Sequence, residues 1–207
     1  EQPELNQSIV TSSSFKSSNY YLSEDGFLYK TNEDLTEEEI YNQEKLNQFS
    51  FPVQEETPYQ LSIFPNLIFL TENNITYRLD SKEKQFTKFG EGIKNFKISE
   101  NEKYIAYFLD KEIWVISLEK NKIYDKNEKV FLLRFSEPIK NIFWIDSSYL
   151  VFNTDSHIKI TEIDNRDQLN IIDLGTFESP EIFWNPSTQR LYYLENNTLK
   201  QSKELLP

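Results

Sequence analysis

Residues 105–118, Ile105-Ala106-Tyr107-Phe108-Leu109-Asp110-Lys111-Glu112-Ile113-Trp114-Val115-Ile116-Ser117-Leu118, read as two strands joined by a turn. An apolar run is broken by Asp110-Lys111-Glu112, after which apolar and polar residues alternate in part. A short apolar run bounded by turn residues marks a buried strand, and alternation marks a strand covered on one face.

Working outward, the same wording recurs four times more. Phe27-Leu28-Tyr29, Leu67-Ile68-Phe69-Leu70, Leu150-Val151-Phe152 and Leu191-Tyr192-Tyr193-Leu194 are runs of the same kind. With Leu28, Ile68, Ala106, Val151 and Tyr192 as markers, the spacings are 40, 38, 45 and 41. One four-stranded propeller blade has a period of roughly 40–45 residues. Seven residues beyond each marker stands a second aliphatic: Leu35, Ile75, Ile113, Ile158 and Leu199. Between them lie Glu72-Asn73-Asn74, Asp155-Ser156 and Glu195-Asn196-Asn197. Asn and Asp tolerate left-handed backbone angles and bond their own backbone, which suits hairpin turns.

Candidate first strands precede the markers at Ile93–Ile98, Ile139–Ile145 and Ile182-Phe183-Trp184, and candidate fourth strands follow at Phe86–Phe89, Val130–Phe135 and Asn170–Leu174. Each full unit therefore reads as four strands joined by hairpins and loops. The pattern predicts an all-β fold, a β-propeller of five blades of about 40 residues. The units fall near 18–53, 54–90, 91–136, 137–175 and 176–207, after a polar segment 1–17 read as a linker or a ring-closing strand. An acidic stretch from Asn32 to Gln48, with Thr36 and Glu39 spaced as a capping box, predicts a short helix or acidic loop in the first blade. A larger ring and an open sandwich are the alternative architectures.

Residues 99–107 and 113–118 resemble the repeats of TolB-like propellers, in which a Ser-Pro-Asp-Gly-like turn precedes an Ile-Ala-Phe-like and an Ile-Tyr-Val-like strand. Ser23-Glu24-Asp25-Gly26-Phe27-Leu28-Tyr29 is a second partial match. The chain departs from that pattern in lacking the Pro and, in most units, the Asp-Gly; it also has no Trp-Asp dipeptide of the WD-repeat kind. What the resemblance implies is a propeller and an extracytoplasmic or cell-surface setting in a bacterium, anchored upstream of residue 1. Fold alone does not assign an activity.

Sixteen Phe, 12 Tyr and 3 Trp supply ample apolar area, so intrinsic disorder is excluded despite a mean hydropathy of -0.63. No Cys is present, which removes disulfides, thiolate metal sites and cysteine nucleophiles. The absence of Met predicts a region or processed form of a longer product. No stretch approaches the roughly 18 apolar residues of a spanning helix. The net charge of -12 opposes phosphate backbones and anionic lipid surfaces, so no nucleic acid and no direct membrane insertion are expected.

The single histidine, His157, sits at a turn before Ile158, and a Ser-His-Asp relay would need a Ser and an Asp within its reach. A partly exposed polar residue is the plainer reading. One His without Cys excludes a closed zinc site. Asp164-Asn165-Arg166-Asp167 and Asp125-Lys126-Asn127-Glu128 gather oxygen ligands, but neither fits the EF-hand loop, and both read as turns. Gly90-Glu91-Gly92 lacks the third Gly of a dinucleotide loop. Trp144 and Trp184 hold equivalent repeat positions and read as core, with Trp114 half-buried. Asn6, Asn74 and Asn196 lie in glycosylation-type triplets.

No catalytic, binding or metal-ligating residue and no cofactor is assigned on these grounds. The expected function is a non-catalytic interaction or scaffold module that binds a protein or peptide. A propeller-based hydrolase or lyase, with carboxylates or His157 at a central channel, is the alternative. A spacer segment of an envelope protein is the third reading.

Overall fold

A computed structural model describes residues 8–32 and 43–205. The chain divides into two compact units, residues 1–92 and 93–207. The predicted helix or acidic loop, with Thr36 and Glu39, lies largely outside the described residues; its flank is strand, since Glu44-Lys45 pairs with Tyr29 and Lys30.

In the first unit, β1 (Ile9–Phe15), β2 (Ser18–Ser23), β3 (Leu28–Asn32) and β4 (Glu44–Lys45) form one antiparallel sheet in chain order. β5 (Tyr59–Phe64), β6 (Leu67–Glu72), β7 (Ile75–Asp80) and β8 (Gln85–Glu91) form the second. Ile9–Phe15, read above as part of a linker or a ring-closing strand, pairs along its length with Ser18–Ser23. Residues from the two sheets, Tyr20, Leu22, Leu28, Leu61, Ile63, Leu70 and Phe86, meet in a core with Phe51 from the β4–β5 connection.

The first marker is out of phase with the rest. Leu28 lies on the third strand of its sheet, whereas Ile68, Ala106, Val151 and Tyr192 lie on second strands. The second-strand apolar run of the first sheet is Tyr20-Tyr21-Leu22. The 40-residue spacing from Leu28 to Ile68 arises because residues 33–43 lengthen the path from β3 to β4. The two TolB-like turns differ in the same way. Ser23 and Ser99 each hydrogen-bond the side chain two residues on, Asp25 or Asn101. One turn joins β2 to β3, whereas the other joins the first and second strands of its sheet.

The second unit holds three sheets. β9 (Asn95–Ile98), β10 (Tyr104–Phe108), β11 (Glu112–Ser117) and β12 (Lys129–Arg134) form the third, and β13 (Asn141–Trp144), β14 (Tyr149–Asn153), β15 (His157–Glu162) and β16 (Ile171–Thr176) the fourth. β17 (Glu181–Asn185), β18 (Arg190–Glu195) and β19 (Thr198–Gln201) form the fifth. Third and fourth sheets pack through Ala106, Phe108, Ile113, Val115, Leu132, Ile142, Leu150 and Phe152. Fourth and fifth pack through Ile145, Val151, Ile158, Ile182, Trp184 and Leu191. β10 and β14 are buried on both faces, which is why their runs are unbroken by polar residues.

Trp144 and Trp184 are equivalent core residues. The Trp144 indole N–H also donates to the Lys97 carbonyl at 2.8 Å, tying the third sheet to the fourth. Trp114 is half-buried in a cross-strand row, Phe96-Tyr107-Trp114-Phe131, one ring from each strand of the third sheet. The β6–β7 and β18–β19 hairpins turn on Asn rather than Gly: Asn73, Asn196 and Asn197 all have positive φ.

Candidate functional site

His157 opens β15, and its Nδ1 lies 3.0 Å from an oxygen of Asp173 on the paired strand β16. Asp173 also accepts from the Lys159 ammonium and from the Gly175 N–H at 3.0 Å. The Lys159 contact comes first among the causes that hold this carboxyl down at about pKa 2, followed by Gly175. The neighbouring Ser156 hydroxyl donates to both oxygens of Glu137, at 2.9 and 2.8 Å. Hydrogen bonds from Thr154 and then Ser156 lower the Glu137 pKa.

Ser156 and His157 thus address two different carboxylates. A nucleophile–base pair needs the hydroxyl on the imidazole itself. Among the described residues, no serine or threonine hydroxyl is hydrogen-bonded to the His157 ring. The arrangement is a cross-strand ionic latch that fastens β16 to β15.

The acidic turns are committed internally. Asp164 pairs with Arg166 at 2.5 Å, and Asn165 donates to the Phe131 carbonyl and accepts from the Tyr124 hydroxyl. Asp125 pairs with Lys120, and the Glu128 carboxylate accepts the Asp125 N–H at 2.7 Å. Among the described residues no three His, Asp or Glu side chains gather as metal ligands. Of the glycosylation-type triplets, Asn6 lies outside the described residues, and Asn74 and Asn196 sit in exposed hairpin turns.

Two surface features have binding character, and neither was singled out from the sequence. The first is β16. Ile171, Ile172 and Leu174 are 41%, 48% and 36% exposed on the outer edge of the fourth sheet. Natural sheets protect such edges with charge, Pro or bulges. The outer strand β8 carries Lys88, and β12 carries Lys129 and Arg134. β16 carries only Asp173, whose charge is already met by Lys159, and a bulge opposite Ile158–Lys159.

The second is a cleft of about 250 Å³ in the first unit. Leu46, Ile63, Leu67, Ile68 and Leu79 form its apolar walls, with Tyr20 and Phe64. Lys30, Glu44 and Lys84 also line it. Lys30 lies directly across the β3–β4 ladder from Glu44, with its ammonium 5.9 Å from the centre of the Tyr20 ring. Lys84 has positive φ in the β7–β8 turn, where its carbonyl accepts the Gln48 N–H at 2.7 Å. The cleft draws on residues 20 to 84, so no local motif announces it.

No protein-family model matches the sequence, and no curated protein matches it. Solved structures resemble it in fold. The β-propeller domain of Myceliophteria thermophila Cps50 (Swd1) aligns with 92% of this chain at a TM-score of 0.54 and 10% identity. Kluyvelomyces marxianus Hsv2 aligns with 94% at 0.56 and 9% identity. A functionally unknown protein from Desulfotomaculum acetoxidans DSM 771 aligns with 95% at 0.53 and 13% identity. The chain spans 67%, 59% and 66% of those three structures. At such identities the likeness speaks to fold alone. The five antiparallel meanders and these neighbours together make the chain a β-propeller fold.

Proposed function

We propose that this chain is a non-catalytic interaction module that docks a protein or peptide partner along β16. The observation that carries this reading is the outer strand with three exposed aliphatic side chains and no unpaired charge. An extended partner segment laid against it would complete the backbone ladder and cover Ile171, Ile172 and Leu174. Strand addition of this kind takes affinity from main-chain hydrogen bonds and specificity from alternate side chains. The commitment of His157 and Ser156 to separate carboxylates favours this reading over a hydrolase.

We further read the chain as an extracytoplasmic or cell-surface part of a longer bacterial protein. The support is the TolB-like wording of residues 99–107 and 113–118. The net charge of -12 supports a protein partner over nucleic acid or an anionic membrane.

The test is a displayed random-peptide library selected on the wild type and on an Ile172→Lys, Leu174→Glu variant. Both positions are exposed, and circular dichroism checks that the variant keeps its strands. Peptides with alternating apolar residues should enrich on the wild type and be lost on the variant. Failure to enrich any family, or equal enrichment on both proteins, sinks the reading.

A further inference from the structure

The cleft of the first unit combines an apolar lining with two lysines and one glutamate, in a strongly acidic setting. Residues 1–92 hold 16 Asp and Glu against 7 Lys and Arg, yet two of those seven cations line this one cleft. Across the β3–β4 ladder Lys30 lies opposite Glu44, and its ammonium stands over the Tyr20 ring. Lys84 has no carboxylate partner among the described residues. Asp80, at the start of the same turn, is committed elsewhere: it accepts the backbone N–H groups of Lys82 and Glu83 at 2.8 and 2.9 Å. Those bonds lower the Asp80 pKa and keep its carboxylate on its own turn. Lys84 is therefore the charge left for a ligand.

Size narrows the ligand further. Sites for drug-sized molecules and cofactors run from about 300 to 1,000 Å³. At about 250 Å³ this cleft admits one or two aliphatic side chains rather than a nucleotide or a flavin. Leu46, Ile63, Leu67, Ile68 and Leu79 make a surface for such side chains, and an anion beside them would meet the Lys84 ammonium. An apolar residue and a carboxylate on the same few atoms occur together at the C-terminus of a polypeptide.

We propose that this cleft binds the free C-terminus of a partner polypeptide ending in aliphatic residues, its terminal carboxylate held by Lys84. The proposal concerns a different unit from β16 and stands or falls independently of it.

The experiment is fluorescence anisotropy with three labelled hexapeptides. One ends in Leu-Leu with a free carboxylate, one is its C-terminal amide, and one ends in Ser-Ser with a free carboxylate. The Leu-Leu acid should bind at least five-fold more tightly than either other peptide. Lys84→Gln should reduce that preference for the acid to near unity. Lys88→Gln, a lysine outside the cleft and paired with Glu91, should leave it unchanged. Equal binding of acid and amide, an unaltered preference in Lys84→Gln, or no binding at all would overturn the proposal. So would displacement of the peptide by octanoate at equal concentration, which would make a small amphiphile the ligand.

Discussion

The Phe51 N–H donates to the Gly26 carbonyl at 2.8 Å, and the two backbones approach so closely that a Cβ on residue 26 would lie 1.9 Å from the Phe51 carbonyl oxygen. Gly26 also has φ of +80°. The buried Asn47 seals the same junction: its side-chain nitrogen donates to the carbonyls of Gly26 and Phe49, and its oxygen accepts the Leu28 N–H. The glycine of the Glu-Asp-Gly turn thus serves the return of the chain after residue 43 as much as the turn itself.

Gly26→Ala should therefore destabilise the first unit well beyond a backbone effect. The left-handed conformation alone costs roughly 1–2 kcal/mol for a residue with a Cβ, and displacing Phe51 adds to it. Gly92 supplies the comparison, with φ of +74° and nothing within 4 Å of a built Cβ. Urea unfolding of the two Ala variants should show a markedly larger loss at 26. Equal losses would mean that contact with Phe51 contributes nothing.

Trp144→Phe should cost about 1–3 kcal/mol, the penalty for stranding a buried hydrogen-bonding group, here the Lys97 carbonyl. Trp184→Phe provides the contrast, because no acceptor for that indole is found among the described residues. Denaturation midpoints of the two variants decide the matter. A Trp184 variant as damaged as the Trp144 variant would assign the loss to ring packing.

Acid should loosen the latch on β16. The folded fold holds Asp173 at about pKa 2, below its ordinary 3.8, so the native state favours the ionised form. The resulting stabilisation is complete above about pH 4 and disappears as pH falls through 2. Asp173→Asn should therefore be less stable than wild type near pH 6, and the two should converge toward pH 2. The group is half-exposed, so added salt should narrow the difference. A gap unchanged at pH 2 would show that the ion pair is not its source.

Phe152→Ala should cost about 3–5 kcal/mol, as for other buried aromatic truncations. Phe152 is fully buried in the core of the third and fourth sheets, with the Phe135 ring 5.0 Å away. Calorimetry provides the measurement. A loss below 1 kcal/mol would mean that this core relaxes around the cavity.

The second to fifth sheets were legible because their second strands appear as unbroken apolar runs, those of the third and fourth sheets being buried on both faces. Leu67–Leu70 and Ile105–Phe108 are such runs, each closed by an Asp- or Asn-containing turn. In the first sheet, Tyr20-Tyr21-Leu22 carries the same signal, but a long excursion before β4 shifts the count, and Leu28 mimics the phase of its neighbours. β1 has the composition Ile-Val-Thr-Ser-Ser-Ser-Phe, which resembles a polar linker until its partner strand is known. The surfaces were harder to read. Ile171-Ile172-Asp173-Leu174 looks like a core strand, and only its place at the outer edge of a sheet exposes it. Lys30 and Lys84 share a cleft because two sheets fold together, and no spacing encodes that.

The two-residue strand β4 carries a kinetic consequence. Glu44 and Lys45 reach β3 only after residues 33–43 have been spanned. A connection of equal length, residues 118–128, leads from β11 to β12, but there it closes a ladder of five residue pairs. Closing a loop of that length costs about 2 kcal/mol in chain entropy. A two-residue ladder offsets little of this, so Asn47 and Phe51 are what hold the segment down. Docking of β4 should be the last step of assembly in the first unit and the first to reverse. The Leu46 amide, bonded to the Leu28 carbonyl at 2.8 Å, should accordingly exchange its hydrogen with solvent sooner than the amides of β2. Both Leu46 and Glu44 line the cleft, so each such local opening should remove part of its wall.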